Sequence, residues 1–90
     1  MKKLLHVEVG TEDNQSSSTE GLLFIDGVVN YFDQEDKLMD EWEVKEFFQE
    51  TYGETLPDLV DNTEFHTEKE IQKYVADKLH LESTDFVTIV

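Results

Sequence analysis

The side chains here that could do chemistry are nearly all carboxylates. Twenty-two Asp and Glu are spread over ninety residues, against seven Lys and no Arg, a formal net charge of −15. Paired carboxylates can act as general acid and base. At this density two acids fall near one another by chance, so pairing carries no catalytic information. A calcium loop is a sharper test. Asp33-Gln34-Glu35-Asp36-Lys37-Leu38 starts with ligands at positions 1 and 3. It then has Lys37 at position 5, Leu38 where glycine is required and Val44 at position 12, and so it fails. His6, His66 and His80 are scattered, with no His-x-x-x-His or HExxH, and each is read as a surface or half-buried histidine. The lack of cysteine excludes a disulfide scaffold, a thiolate zinc site and a Cys nucleophile. The four glycines are isolated at turn positions, so there is no phosphate loop, and there is no Gly-x-Ser-x-Gly elbow. No catalytic residue, metal site or cofactor is expected, and the chain is read as a non-enzyme.

What remains is the distribution of charge. From Asp33 to Glu70 there are fourteen acids and three lysines, a net of −11; the segments before and after contribute −3 and −1. Such a chain lacks the cations to displace counterions from phosphates, which excludes direct nucleic-acid binding by phosphate contacts. It also argues against docking on anionic membranes. Solubility needs a net charge of only about 2–8 on a small domain. A larger charge destabilises the fold by self-repulsion, and each like-charge pair on a helix costs a few tenths of a kcal/mol. One reading is a solvated face. The sharper one is a decoy, an array of carboxylates that fills the cationic groove of a nucleic-acid-binding protein.

The elements that must carry these acids can be read from periodicity. Leu4 to Val9 alternates as a half-buried strand, with Leu5, Val7 and Val9 on one face. Gly10 to Glu20 is polar and reads as a loop. Asp26-Gly27 between two apolar runs is the strongest short hairpin signal. It predicts Ile25 opposite Val28, Phe24 opposite Val29, Leu23 opposite Asn30 and Leu22 opposite Tyr31. Both faces of that hairpin would be apolar, so either it is central and covered on both sides, or one face is buried by self-association or by a partner. Lys37-Leu38-Met39 is read as a short third strand. Asp40 and Glu43 have capping-box spacing, Met39 and Val44 that of a hydrophobic staple. Val44, Phe47, Phe48, Thr51 and Tyr52 then form a helical stripe ended by Gly53. Leu56 to Val60 is read as one short helical turn. Thr67 and Glu70 make a second capping box before the stripe Ile71, Tyr74, Val75 and Leu79, with Lys73 and Lys78 toward the helix end. Phe86 to Val90 is a final strand. The expected fold is α+β over residues 1–90 as one domain: a small, mainly antiparallel sheet of three to five strands with two α-helices, in ββ(β)ααβ order. Helices are expected over 41–52 and 68–80.

On the first helix Glu43, Glu46 and Glu50 fall on one side, at roughly 240–300° with Asp40 at zero, away from the apolar stripe near about 40°. They rise by roughly 4.5 and 6 Å along the axis, comparable to phosphates along a strand. Asp33, Glu35, Asp36, Glu41, Glu54, Asp58, Asp61 and Glu64 lie in neighbouring turns and loops. Trp42 sits beside Glu46 and Gln49. It either anchors an interface or packs on the preceding loop. The expected partner-binding set is Asp33, Glu35, Asp36, Glu41, Trp42, Glu43, Glu46, Glu50 and Glu54.

In size and acidity the chain resembles small phage-encoded DNA mimics: restriction inhibitors, uracil-glycosylase inhibitors and anti-CRISPR proteins. The class shares no motif. Tyr52-Gly53-Glu54-Thr55-Leu56-Pro57-Asp58-Leu59-Val60-Asp61 is similar to the Tyr-Gly-x-Asn-Leu-x-x-Leu-x-Asp segment of barstar-type ribonuclease inhibitors, where it lies in the acidic inhibitory region. Thr55 replaces the Asn, and Pro57 would interrupt a helix there. Both resemblances imply an acidic protein that plugs a basic site. The expected function is inhibition of a basic nucleic-acid-binding protein, a nuclease or CRISPR effector, by a phage or mobile-element product in the cytoplasm of a bacterial host. The alternatives are a structural or adaptor protein of a virion or assembly, and an immunity protein or antitoxin for a basic nuclease. Lys2-Lys3-Leu4-Leu5 starts like a signal peptide, but His6 and Glu8 break the apolar run, so none is expected. No stretch is apolar enough to span a membrane. A homodimer is the expected form if the hairpin's second face is covered by a copy.

Overall fold

A computed structural model describes residues 3–13, 23–60 and 63–90. Strands β1 (Leu4–Asp13), β2 (Leu23–Asp33) and β3 (Leu38–Met39) are followed by helices α1 (Glu41–Tyr52) and α2 (Glu68–Lys78), a 3₁₀ turn over Thr84–Phe86 and strand β4 (Val87–Ile89). The sheet order is β3-β2-β1-β4. β2 pairs antiparallel with both β1 and β3, and β1 pairs in parallel with β4. The fold is the expected small α+β architecture, with a mixed sheet in which two of the three pairings are antiparallel.

The Asp26-Gly27 hairpin does not form. β2 runs unbroken through both residues because β1 offers it a far longer ladder, from Leu4 opposite Asp33 to Asp13 opposite Leu23. Three bulges interrupt the register, and Asp26 is the extra residue of one, between Ile25 opposite Thr11 and Gly27 opposite Gly10. Gly27 has φ 156°, outside the range L side chains favour. Strand β1 also extends past Val9 to Asp13, so Gly10–Asp13 belongs to the sheet, not to a loop. The expected Leu22–Tyr31 pair and the rest of that loop lie outside the described residues. Asp61, one of the loop acids, does too.

The bulges decide which side chains enter the core. Val7 and Val9 face Tyr31 and Val28 across the ladder, and Thr11 faces Ile25. Val7, Val9 and Ile25 are buried, with Leu23, Val28 and Tyr31 packed against them. Val29, the extra residue of the second bulge, is 56 % exposed. On the other face His6 stacks on Phe32 at 4.4 Å between ring centroids, and the Asn30 amide donates to Glu8 at 2.7 Å. That face is mixed, not apolar, so the premise for burying a second hairpin face by self-association is not met.

The local hairpin sits downstream, between β2 and β3. The Asp33 N–H donates to the Lys37 carbonyl at 2.8 Å, and Asp36 takes a left-handed conformation at φ 63°. Asp33 is only 3 % exposed. Its Oδ1 accepts the N–H of Glu35 at 2.8 Å and that of Lys37 at 3.0 Å, which holds the turn.

Both helices start and stop on local signals. Asp40 and Glu43 make the full capping box, with Glu43 N–H donating to Asp40 at 2.8 Å and Asp40 N–H to Glu43 at 3.2 Å. Met39 and Val44, the staple pair, are both buried. Gly53 closes α1 at φ 65°, its N–H donating to Gln49. Thr67 caps α2, but Glu70 reaches one residue further back, to the His66 N–H, so the second box is incomplete. α2 ends at Lys78, two residues short of expectation, with His80 left-handed at φ 57°. Val44, Phe47 and Phe48 of α1 and Ile71, Val75 and Ala76 of α2 share one core with Val7, Val9, Ile25 and Val87. Thr51 and Tyr52 end the α1 stripe exposed. The 56–60 segment is irregular rather than helical: the Val60 N–H, which would close a helical turn, donates to Asp58 Oδ1 at 3.0 Å instead; Leu59 still enters the core.

The role of Asp33 is testable. Asp33→Ala strips two backbone donors of a charged acceptor inside the fold and is expected to lower stability by about 2 kcal/mol. Glu35→Ala, two residues on and exposed, is expected to stay within about 0.5 kcal/mol. Urea unfolding of the two variants checks this; equal losses would contradict it.

Candidate functional site

The acids divide into those that hold the backbone and those that face outward. Asp33 belongs to the first kind. Its buried carboxylate is committed to the β2–β3 turn, and it is not part of an accessible surface as the sequence reading had it. Glu43 is half-buried and committed to the α1 cap. Glu35 and Asp36 are exposed on the same turn as Asp33, with Glu35 3.7 Å from the Lys37 amine and Asp36 2.6 Å from His6 Nε2.

The outward acids meet on α1. Trp42, Lys45, Glu46, Gln49 and Glu50 follow one another at helical spacing and, with Glu54, Thr55 and Leu56, line a groove of about 390 Å³. Gly53 makes this possible: its left-handed turn sends the chain back along α1, so the exposed Glu54 and half-buried Leu56 lie beside the helix face. Of the barstar-like segment, Glu54, Thr55 and Leu56 supply the groove's second wall. Glu46 and Glu50 have no hydrogen-bond or ion-pair partner among the described residues. Glu54 Oε1 lies 2.8 Å from His80 Nε2, and the His80 ring lies 4.2 Å from that of Tyr52. Glu41 faces Lys45 at 3.8 Å one turn along. Such exposed pairs contribute at most about 1 kcal/mol.

Trp42 is 73 % exposed. It does not pack on the preceding loop, the second of its two readings, and its indole is exposed. A tryptophan that buries little of its ring in its own fold, bordered by carboxylates, has the make-up of an interface anchor. The structure therefore brings together Trp42, Glu46, Glu50 and Glu54 of the expected set. It places Glu41 on an adjoining groove and leaves Glu35 and Asp36 on the β2–β3 turn. Thr55 and Leu56 were missed as site residues, because an irregular segment carries no periodicity; Gly53 was the one signal that the chain turns back there.

Among the described residues no cluster of His, Asp and Glu has the arrangement of a metal site. The Tyr31 hydroxyl is pushed above the ordinary tyrosine range, first by burial and then by the nearby Glu41 carboxylate. Among the described residues no helix is long and apolar enough to cross a membrane. Comparison with protein families, with curated proteins and with solved structures finds no match to this chain.

Two outcomes follow from this geometry. Trp42 is the sole tryptophan. Its fluorescence is expected at the red, solvent-exposed end of the range with efficient acrylamide quenching, and Trp42→Ala is expected to change stability by less than about 0.5 kcal/mol. A blue, unquenched spectrum would place the ring inside. For Tyr31 the folded state holds its proton more tightly than the unfolded state. Stability is then fully present below about pH 10, and part of it is lost as pH rises beyond that point. Tyr31→Phe is expected to flatten that part of the alkaline slope, measured by thermal unfolding from pH 9 to 11.

Proposed function

We propose that this chain is an inhibitor that mimics nucleic acid and occupies the cationic groove of a basic nucleic-acid-binding protein. The reading extends to a phage or mobile-element product directed at a bacterial nuclease or CRISPR effector and acting in the host cytoplasm. The observation that carries it is the exposed Trp42 set among Glu46, Glu50 and Glu54 along one groove. The carboxylates would meet lysines and arginines as phosphates do, releasing counterions from the partner's groove and steering its approach. The indole would supply the apolar, desolvated contact that a row of charges lacks.

The test is affinity capture from a bacterial lysate at low salt, with a graded salt wash. The expected catch is a basic nucleic-acid-binding protein, released by salt and displaced by added DNA or RNA. Replacing Glu46, Glu50 and Glu54 together by Gln keeps shape and helix propensity nearly unchanged. It is expected to weaken binding by roughly 1–3 kcal/mol in total, mostly through slower association, and to reduce the salt dependence. Trp42→Ala is expected to raise the dissociation rate with little change in salt slope. If only neutral partners are retained, or if the triple variant binds as wild type at every salt concentration, the acids are a solvated face and the adaptor reading replaces this one.

A further inference from the structure

A second surface adjoins the Trp42 groove. On its outer edge β2 is bridged at Leu23 by Phe65 and paired at Tyr31 and Phe32 with the two residues of β3. Between those points, residues 24–30 meet no backbone partner on that side among the described residues. An unpaired stretch of strand is a template for another strand. Here it opens on a groove of about 730 Å³, floored by the β2 edge from Gly27 to Tyr31 and walled by the 55–60 segment. Val29 and Val60, 56 % and 50 % exposed, give it apolar contacts. Asp40, Glu41 and Asp58 line it as acids, and its one cation, Lys45, faces Glu41.

The geometry points to β-augmentation: an extended, basic segment of the partner adds a strand to β2 in line with β3, its backbone pairing with the 24–30 edge and its cations facing Asp40, Glu41 and Asp58. Charge selects the occupant. A second copy of this chain would bring the same carboxylates into the groove and be repelled, whereas a basic segment is attracted by them. The 24–30 stretch would hold up to about seven residues at roughly 3.3 Å each. This inference rests on the basic partner of the proposed function and specifies how part of that partner is held. Backbone pairing at this edge is independent of phosphate mimicry on α1, so the two can fail separately.

The test uses the full chain and a synthetic peptide of alternating Lys and Thr as the probe. Two control peptides accompany it, one with alternate amides N-methylated and one with Glu in place of Lys. Amide chemical shifts and hydrogen exchange are read by NMR. The basic peptide is expected to shift and protect amides within 24–30; shifts along α1, where Glu46 and Glu50 also attract its cations, are expected without protection and to persist on N-methylation. N-methylation removes the backbone donors at unchanged charge and is expected to weaken binding about tenfold, the loss of one or two hydrogen bonds. The acidic peptide is expected not to bind. Asp58→Asn with Glu41→Gln is expected to weaken the basic peptide and to leave the unfolding curve nearly unchanged. Equal binding of the N-methylated peptide would overturn the proposal, since charge alone would then account for the contact. Protection of these amides in the free protein, or exchange that depends on protein concentration, would also overturn it. Should the edge fail in these ways while capture still yields a basic protein sensitive to the Glu46, Glu50 and Glu54 variant, the mimic stands without augmentation. Should the edge bind and capture yield no basic protein, the mimic falls and the edge stands.

Discussion

Everything in this fold hangs on the pairing of β1 with β2. These are the two central strands, and β3 and β4 add to their outer edges with only two and three residues. Neither outer strand could form a sheet alone. The helices gain their core only because Val7, Val9 and Ile25 arrive on one face together. Side chains alternate with a period of two, so an error of one residue in the register would turn His6, Glu8 and Phe32 inward. Two of the three bulges absorb the places where the apolar pattern of β2 falls out of step; the third has its extra residue, Leu5, on β1. At Asp26 the frame shifts so that Val28 enters the core, and at Val29 it shifts back so that Tyr31 follows. The exposure of Val29 is the visible cost of that correction.

The helices were legible because their signals are local. Asp40, Glu43, Gly53 and Thr67 act within a few residues of themselves, and the apolar stripes need only helical spacing. The hairpin was misread because the Asp-Gly signal is ambiguous in physical terms. A tight turn and a bulge both want a residue free of Cβ constraints, and Gly27 suits either. The choice was made by a non-local competitor. A ladder against the whole of Leu4–Asp13 satisfies far more backbone than a two-residue turn with four cross-strand pairs. The same competition drew the polar Thr11-Glu12-Asp13 into a strand, for the partner β2 was there to receive it. The actual turn, Gln34 to Asp36, carries no glycine and was legible as a turn from its polarity alone. Asp36 adopts the left-handed conformation that an aspartate tolerates more readily than most residues.

The acids of the site were legible as a group and not as individuals. Asp33, Asp40, Glu43 and Asp58 look no different in composition from Glu46 and Glu50. What separates them is whether the backbone presents an N–H. Asp33 has two of them, Asp40 and Glu43 exchange one each, and Asp58 accepts that of Val60 at 3.0 Å. Asp33 closes the β2–β3 turn, Asp40 and Glu43 start α1, and Asp58 braces the irregular 56–60 segment. Trp42 divides along the same line. Its place on the wheel was readable, but its exposure depended on whether the preceding loop folded over it.

The two helices differ in how their charges sit in the helix dipole. α2 carries Glu68 and Glu70 in its first turn and Lys78 in its last, which suits a dipole positive at the start and negative at the end. α1 begins the same way, with Glu41 and Glu43, but has no basic residue in its last turn and carries Glu50 there instead. An acid at that end works against the dipole by some 0.3–1 kcal/mol in exposed positions, and Glu46 one turn earlier adds repulsion to it. Selection for helix stability alone would favour a lysine at position 50, as α2 has near its own end. Retaining an acid there that has no partner among the described residues, beside a Glu46 in the same situation and an exposed indole, is locally unfavourable for the isolated helix. A cationic partner changes the sign of those terms. Repulsion among the acids falls as lysines and arginines approach, the dipole is satisfied from outside, and the indole leaves water. In α1 the features that weaken the free helix are thus the ones a basic surface would stabilise.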